Sequence, residues 1–467
     1  MTETAPPPRQ AVDTLISGAL MVTLDAQRRV IGDGAVAIRG DRIVAVGKRE
    51  TVAPQVEARQ TVDGRGFVVT PGLINTHVHV TGDPLIRGFI PEDLDFMEVV
   101  FGWATRLHQA QTPDDQRLAA QLAAVEMLRS GTTCFLEAGT ILALDEVADS
   151  LSQVGIRGLI SEWVMDRAFD PADDQTILTD RALRTLEDEI ARHPLRDDSL
   201  IAAWPSLVGH QTNTDTAWRF AKQLADRHGL GVSAHMSPST LDAEWFLANT
   251  GRRPVEHLAE LGVLGPNVSL THAAHLNARE VALLAANRAN VAHCPMAALK
   301  GGYGVTAIGL FPEMAASGVN LTLGTDAGVS GDLMRCMSLA TGLFRDTRQD
   351  NRLFPPASIL EMATVNAART LQMSDRIGSL EVGKKADLVM HDTDRPEWRP
   401  LLNVVAQLVW SADGRGVHSV WVDGRRVVED YRITTVDERR LYAEAQAASR
   451  ALIARTGLPD RQVWPVL

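Results

Sequence analysis

Val68-Val69-Thr70-Pro71-Gly72-Leu73-Ile74-Asn75-Thr76-His77-Val78-His79-Val80 is the stretch that decides the fold. Its first part is apolar and rich in β-branched residues, the composition of a buried strand. It ends in two histidines spaced i, i+2. Side chains alternate along a strand, so His77 and His79 project to one side from Cα atoms roughly 7 Å apart. Two imidazoles placed so can meet on one cation at about 2.0–2.1 Å per Zn–N bond. A lone His-x-His arises by chance, but His235, His272 and Asp326 stand at the ends of later strand-like runs. The set predicts a metal-dependent hydrolase.

Working outward, apolar runs recur at residues 67–80, 132–138, 158–164, 200–207, 231–235, 268–272, 290–293 and 320–325. Helical patterns lie between them, at 114–128, 178–192, 216–228, 278–287 and 312–317. Eight strands in β-then-α order predict an α/β protein built on a (β/α)8 TIM barrel over residues 70–375, with its site at the C-terminal strand ends. A doubly wound open sheet is the alternative, but it places ligand at one switch point rather than ringing every strand end with polar residues. The flanks, 1–69 and 376–467, carry short β-like runs at 15–24, 34–39, 42–47, 386–391, 417–422 and 425–428. Asp423-Gly424 is a hairpin signal before the last of these. Such runs are too short to stand alone, so the two chain ends are expected to form one small β-sandwich. A terminal helix is predicted over 437–455, stopped by Gly457.

The chain has 467 residues, 45% of them hydrophobic, enough for a large core. Its net charge of −12 and the lack of a concentrated basic patch argue against nucleic acid or an anionic membrane as partner. Cys134, Cys294 and Cys336 are too few and too widely spaced for a disulfide framework, so a cytoplasmic setting is expected. The first ten residues lack the basic-then-apolar order of a signal peptide. No apolar stretch reaches the roughly 20 residues of a membrane helix. A small molecule is the expected partner.

Polar residues continue around the predicted strand ends: Glu137 after strand two, Glu162 beside Trp163 after strand three, Ser206 and His210 after strand four, His235 on strand five. Strand six ends in His272 with His275 beyond, strand seven in His293, and strand eight in Asp326. With Thr271-His272-Ala273-Ala274-His275-Leu276, Ala292-His293-Cys294-Pro295, Gly324-Thr325-Asp326 and the trailing stretch from Gly378 to Val389, the chain resembles the amidohydrolase superfamily. The likeness is greatest to its branch of chlorohydrolases and adenosine-type deaminases. The resemblance implies that His77, His79, His235 and Asp326 ligate one divalent ion and that His272 either stands behind the ligands or contacts substrate. Zinc suits three imidazoles and one carboxylate, with Fe²⁺ or Co²⁺ as alternatives. Asp326 would move the proton of the attacking water, and His272 would donate to the oxyanion. Binuclear members bridge their ions with a strand-four lysine or glutamate; residues 200–207 hold neither, so one metal is expected. The resemblance also implies a homo-oligomer.

Two departures bear on the reaction. Aromatic deaminases of this branch carry a glutamate three positions after the strand-five histidine, which protonates a ring nitrogen; here that residue is Pro238. The branch often has a histidine after the strand-four proline; here Pro205 is followed by Ser206. A urea, anilide or carbamate carbonyl needs no ring protonation. The expected function is therefore hydrolysis of an amide-like C–N bond, or of a thiocarbamate C–S bond, on a small apolar substrate. This is similar to phenylurea and thiocarbamate hydrolases of xenobiotic degradation. The alternatives are a deaminase or dechlorinase of a nitrogen heterocycle (triazine, purine or pterin), with Glu137 as the acid, and a non-catalytic scaffold homologue.

Other residues have plainer readings. His293 is expected to be structural and His275 to hold a loop, while Glu162 suits an ion pair. His210, Glu137, Trp163, Trp103 and Tyr303 are expected to contact substrate. Met97, Phe101, Trp204 and Trp245 are candidates for the pocket wall, though most such residues fill cores.

Overall fold

The computed structural model describes residues 9–95, 98–462 and 464; Met97 and the side chain of Phe101 lie outside what is described. Two half-sheets make the barrel. The first holds β6 (Leu73–Val78), β7 (Thr132–Glu137), β8 (Arg157–Ile160) and β9 (Ile201–Ala203). The second holds β10 (Ser206–Gly209), β11 (Val232–Met236), β12 (Val268–His272), β13 (Asn290–His293) and β14 (Asn320–Leu323). All pairings within both are parallel. The fourth barrel strand, expected as one run, is broken at Trp204-Pro205, because proline has no N–H to give the ladder.

The circle closes between β6 and β14. Val78 bridges Asp326 in parallel register, and the Asp326 N–H donates to the His77 carbonyl at 2.9 Å. Side chains strengthen the seam. Asn75 donates to the Thr325 hydroxyl at 2.8 Å and accepts from the Thr325 N–H at 3.1 Å, and the Thr76 hydroxyl donates to the Leu323 carbonyl at 2.9 Å.

The remaining strands form a nine-stranded sheet from both chain ends. From the N-terminal side come β1 (Gln10–Val22), β2 (Val30–Arg39), β3 (Arg42–Lys48), β4 (Val56–Asp63) and β5 (Phe67–Pro71). The C-terminal side gives β15 (Leu388–Asp392), β16 (Val417–Val422), β17 (Arg425–Glu429) and β18 (Arg432–Ile433). β5 and β15 join the two halves antiparallel, Val69 opposite Met390. The run read as one strand, 67–80, is thus two: it leaves the sandwich at Pro71 and enters the barrel at Leu73. Gly72 makes the step, since a Cβ there would lie 1.9 Å from the Thr133 hydroxyl oxygen. Beneath the barrel Arg157 donates to Asp387 at 2.9 and 3.1 Å and to Asp423 at 2.9 Å, tying β8 to the sandwich through buried charge.

Helices cover the barrel. Pro113–Arg129 starts on a capping box between Thr112 and Asp115, and Gln175–Arg192 starts on the Asp174 side chain. The last helix, Glu438–Thr456, ends on Gly457 in left-handed conformation and packs on Pro113–Arg129. Among the described residues, no helix is long and apolar enough to cross a membrane.

Candidate metal centre

Five side chains expected from the sequence converge over the C-terminal end of the barrel. His77 and His79 leave β6 and the residue after it, His235 leaves β11, His272 ends β12, and Asp326 follows β14. His79 Nε2 lies 3.1 Å from Asp326 Oδ1, His77 Nε2 lies 3.6 Å from the same oxygen, and His272 Nε2 stands 3.9 Å from Oδ2. His79 and His235 bring their Nε2 atoms to 3.4 Å of one another. The ligand atoms of His77, His79 and His235 all lie within 4.8 Å of each other, as do those of His77, His272 and Asp326.

Two of the rings are oriented from behind. The His235 Nδ1–H donates to the Val208 carbonyl at 2.8 Å, which leaves Nε2 as a lone pair facing the cluster. The Thr271 hydroxyl lies 2.9 Å from His77 Nδ1 and can accept its proton, while buried His77 Nε2 has no hydrogen-bond partner. Buried nitrogens that face one another, one of them orphaned, fit a divalent cation, which would satisfy the lone pairs that the protein leaves open.

The backbone is strained at these points. His272 (φ 78°), Asp326 (φ 62°), His210 (φ 52°) and Ser237 (φ 51°) all adopt positive φ, rare for residues with a side chain. Burial pushes His235 far down and His272 to about 3, with neighbouring imidazoles adding to both shifts, so each is neutral at pH 7. Burial likewise lowers His77. Burial also opposes a proton on His79, but Asp326 and then Glu137 outweigh it and raise that group. Asp326 is buried, which alone would raise it, yet the His77 and His79 imidazoles beside its carboxylate outweigh burial and hold it well below the ordinary carboxylate range.

The other expected residues are placed unevenly. His210 stacks on His235 with ring centroids 5.5 Å apart and planes 20° from parallel. Tyr303 meets His272 edge-on at 5.4 Å. Glu137 is fully buried and turned onto its own loop, accepting from Gly139 N at 2.6 Å, Thr140 N at 3.0 Å and the Thr140 hydroxyl. Trp163 lies 5.5 Å from the His108 ring, and Trp103 is buried against Phe89 at 5.7 Å. Trp204 is core and Trp245 lies under the Arg167 guanidinium. His293 packs at 4.1 Å on Phe311, and its buried ring falls to about 3. His275 donates to the Tyr303 carbonyl at 2.9 Å, and Glu162 pairs with Arg192 at 2.7 Å.

Four supports carry no signal in the sequence. Thr271 and Val208 act behind the histidines, and only the fold shows them there. Asp83 accepts from Gly328 N at 2.6 Å and pairs with Arg87, while Arg87 also pairs with Glu126, which accepts from Ser330; together they brace the loop after Asp326. Asp242, in the helix Thr240–Thr250, accepts from Ser237 N at 2.6 Å and from His210 Nδ1–H at 2.8 Å.

The model of the Amidohydrolase family matches residues 68–427, and that of an imidazolonepropionase-like composite domain of bacteria matches 34–55. A 5-methylthioadenosine/S-adenosylhomocysteine deaminase of Syntrophobacter fumaroxidans is 32% identical over 94% of this chain and 98% of its own length. A 5'-deoxyadenosine deaminase of Methanosarcina mazei is 29% identical over 95% of this chain and 99% of its own. Among solved structures, a zinc-bound adenosine deaminase from Xanthomonas campestris superposes with a TM-score of 0.86 at 29% identity, covering 96% of this chain and all of that one. The zinc complex of the atrazine chlorohydrolase TrzN from Arthrobacter aurescens TC1 reaches 0.85 at 24% identity over 93% of this chain and all of that one, a likeness of fold. The expected closeness to phenylurea and thiocarbamate hydrolases does not appear among these relatives.

Proposed function

The chain belongs to the amidohydrolase family, and from that premise we propose that it is a one-metal hydrolase acting on the carbonyl of a small urea, anilide or carbamate. His77, His79, His235 and Asp326 would hold the ion, zinc being the metal of the related structures. The ion, when bound, makes a water acidic enough to attack at neutral pH. Asp326 takes that water's proton on its carboxylate and returns it to the leaving nitrogen. His272 is neutral and turns Nε2 toward Asp326 at 3.9 Å; as the Nε2–H tautomer it can donate to the carbonyl oxygen as charge develops.

One observation carries the choice of an amide-like carbonyl. Pro238 stands three positions after His235, and three buried carboxylates, Asp242, Glu137 and Asp83, are already engaged. Asp242 holds His210 and Ser237, Glu137 holds its own loop, and Asp83 holds Arg87 and Gly328. Among these, no free acid stands ready to protonate a heterocycle nitrogen. Glu137 is no substitute: its oxygens are spent on Gly139 and Thr140.

Deamination of an adenosine-type heterocycle is the second reading, and the relatives support it more than they support the first. It requires a proton source other than a strand-five glutamate. A release assay with zinc-loaded enzyme separates the two. Amine release from ureas, anilides or carbamates, with no ammonia from 5-methylthioadenosine or adenosine, is expected; the reverse pattern replaces the first reading by the second. Metal content near zero after purification in zinc, with no turnover of any substrate, would instead leave a non-catalytic homologue.

A further inference from the structure

We propose that His210, oriented by Asp242, fixes substrate specificity by accepting a hydrogen bond from an N–H beside the attacked carbonyl; the inference rests on the carbonyl-hydrolase reading. His210 follows β10, and its own N–H donates to the His235 carbonyl at 3.1 Å, so the residue is anchored to a side of the site. The Nδ1–H donates to Asp242 Oδ2 at 2.8 Å. Asp242 is buried and is pinned in turn by Ser237 N at 2.6 Å, so the carboxylate is not free to swing away. An imidazole held at Nδ1 in this way presents Nε2 as an acceptor. That atom has no partner among the described residues, and the side chain is 22% exposed, within reach of a ligand. The ring lies nearly parallel to His235 at 5.5 Å, so it borders the space over the metal centre.

The chemistry that fits is a secondary amide, an arylurea or a carbamate bearing one N–H. A fully N-substituted analogue leaves Nε2 unpaired and is discriminated against, as is a thiocarbamate of a secondary amine. Sites built to bond an N–H reject the analogue that lacks it, because their own polar group is then stranded.

Matched pairs test this: acetanilide with N-methylacetanilide, and 1,1-dimethyl-3-phenylurea with its 3-methyl homologue. They are compared on the zinc-loaded full chain, on His210→Phe, which keeps the stack and removes the acceptor, and on His210→Gln, which restores one. The preference for the N–H member in kcat/KM should fall by about 3- to 10-fold in His210→Phe, the worth of one hydrogen bond, and return in part in His210→Gln. Equilibrium binding of acetanilide, measured by calorimetry on the same proteins, should weaken in step while zinc content and circular dichroism stay unchanged. Equal N–H preference in wild type and His210→Phe overturns the inference, and so does equal binding, including none by either. Failure of every amide and urea to turn over, with acetanilide still bound more tightly by wild type, would overturn the carbonyl-hydrolase reading and leave the anchor standing.

Discussion

His79 Nε2 lies 3.1 Å from Asp326 Oδ1, although one residue follows the first barrel strand and the other the last. The closure of β6 on β14 makes the pair, and it makes Asp326 the group through which the histidine cluster is assembled.

Asp326→Asn should therefore reduce turnover by at least about 10³-fold, the scale seen when a group acting as a unit with its neighbours is removed. The variant's zinc content should drop as well. Chelation of the wild type should give the same loss, restored by added Zn²⁺. Full activity in Asp326→Asn, or activity that survives metal-free dialysis, would contradict the assignment.

Thr271→Val removes the group behind His77 Nδ1 while keeping shape. A lost second partner of a ligating histidine lowers metal affinity by about 10- to 100-fold. Competition with a zinc chelator reads this directly. An unchanged affinity would mean that the Thr271 hydroxyl plays no part in orienting the ring.

The barrel and the sandwich were legible in the sequence through local signals, and the meeting of His77, His79, His235 and Asp326 through the family's motifs. Alternation, turn residues and histidines at strand ends all survive in a one-dimensional reading. The step at Gly72 was not legible, because an unbroken apolar run reads as one strand, and only the approach of Thr133 shows that it must change sheets. The break at Trp204-Pro205 was signalled by the proline but hidden by the apolar residues around it. Thr271, Asp83 and Asp242 were missed for a different reason: each acts by pairing with a residue distant in sequence, and single threonines and aspartates carry no periodicity to mark them. Glu137 is an acid at a strand end whose carboxylate folds back on Gly139 and Thr140, a turn that its place in the sequence does not mark.

Gly72→Ala should be among the most damaging single-methyl additions in the chain, since the new Cβ would overlap the Thr133 side chain on a buried step between two sheets. A loss of about 1–3 kcal/mol or more is expected from overpacking. Gly32→Ala, where nothing lies within 4 Å, is the control. Chemical denaturation of both compares them, and equal midpoints would show that the step can widen without cost.

Arg157→Met breaks a buried ion pair and leaves Asp387 without its cation beside Asp423, whose own carboxylate keeps Lys385. Removing one partner of such a pair typically costs about 3–5 kcal/mol. The double variant Arg157→Met/Asp387→Leu should recover much of that. Because the pair lies beneath the barrel, the kcat of the folded fraction should change little. A single variant as stable as the double would mean that the ions contribute nothing to joining β8 to the sandwich.

Glu189 supplies the pH test. Burial raises its carboxyl to about 8, against hydrogen bonds from Glu162 N and Ser161 that pull the other way. The folded pKa lies above the unfolded one, so the fold binds the proton more tightly than the open chain does. The contribution of this group is complete below about pH 4.3, the unfolded value, declines as pH rises, and is lost once pH passes about 8. Glu189→Gln keeps the shape and never ionises. It should flatten that part of the stability profile and exceed the wild type at pH 8 by on the order of a few kcal/mol. Urea denaturation at intervals from pH 5 to 9 gives both curves. Parallel curves, with no gap opening toward alkaline pH, would show that Glu189 is ionised in the folded chain throughout and that its backbone bonds, rather than burial, set its charge.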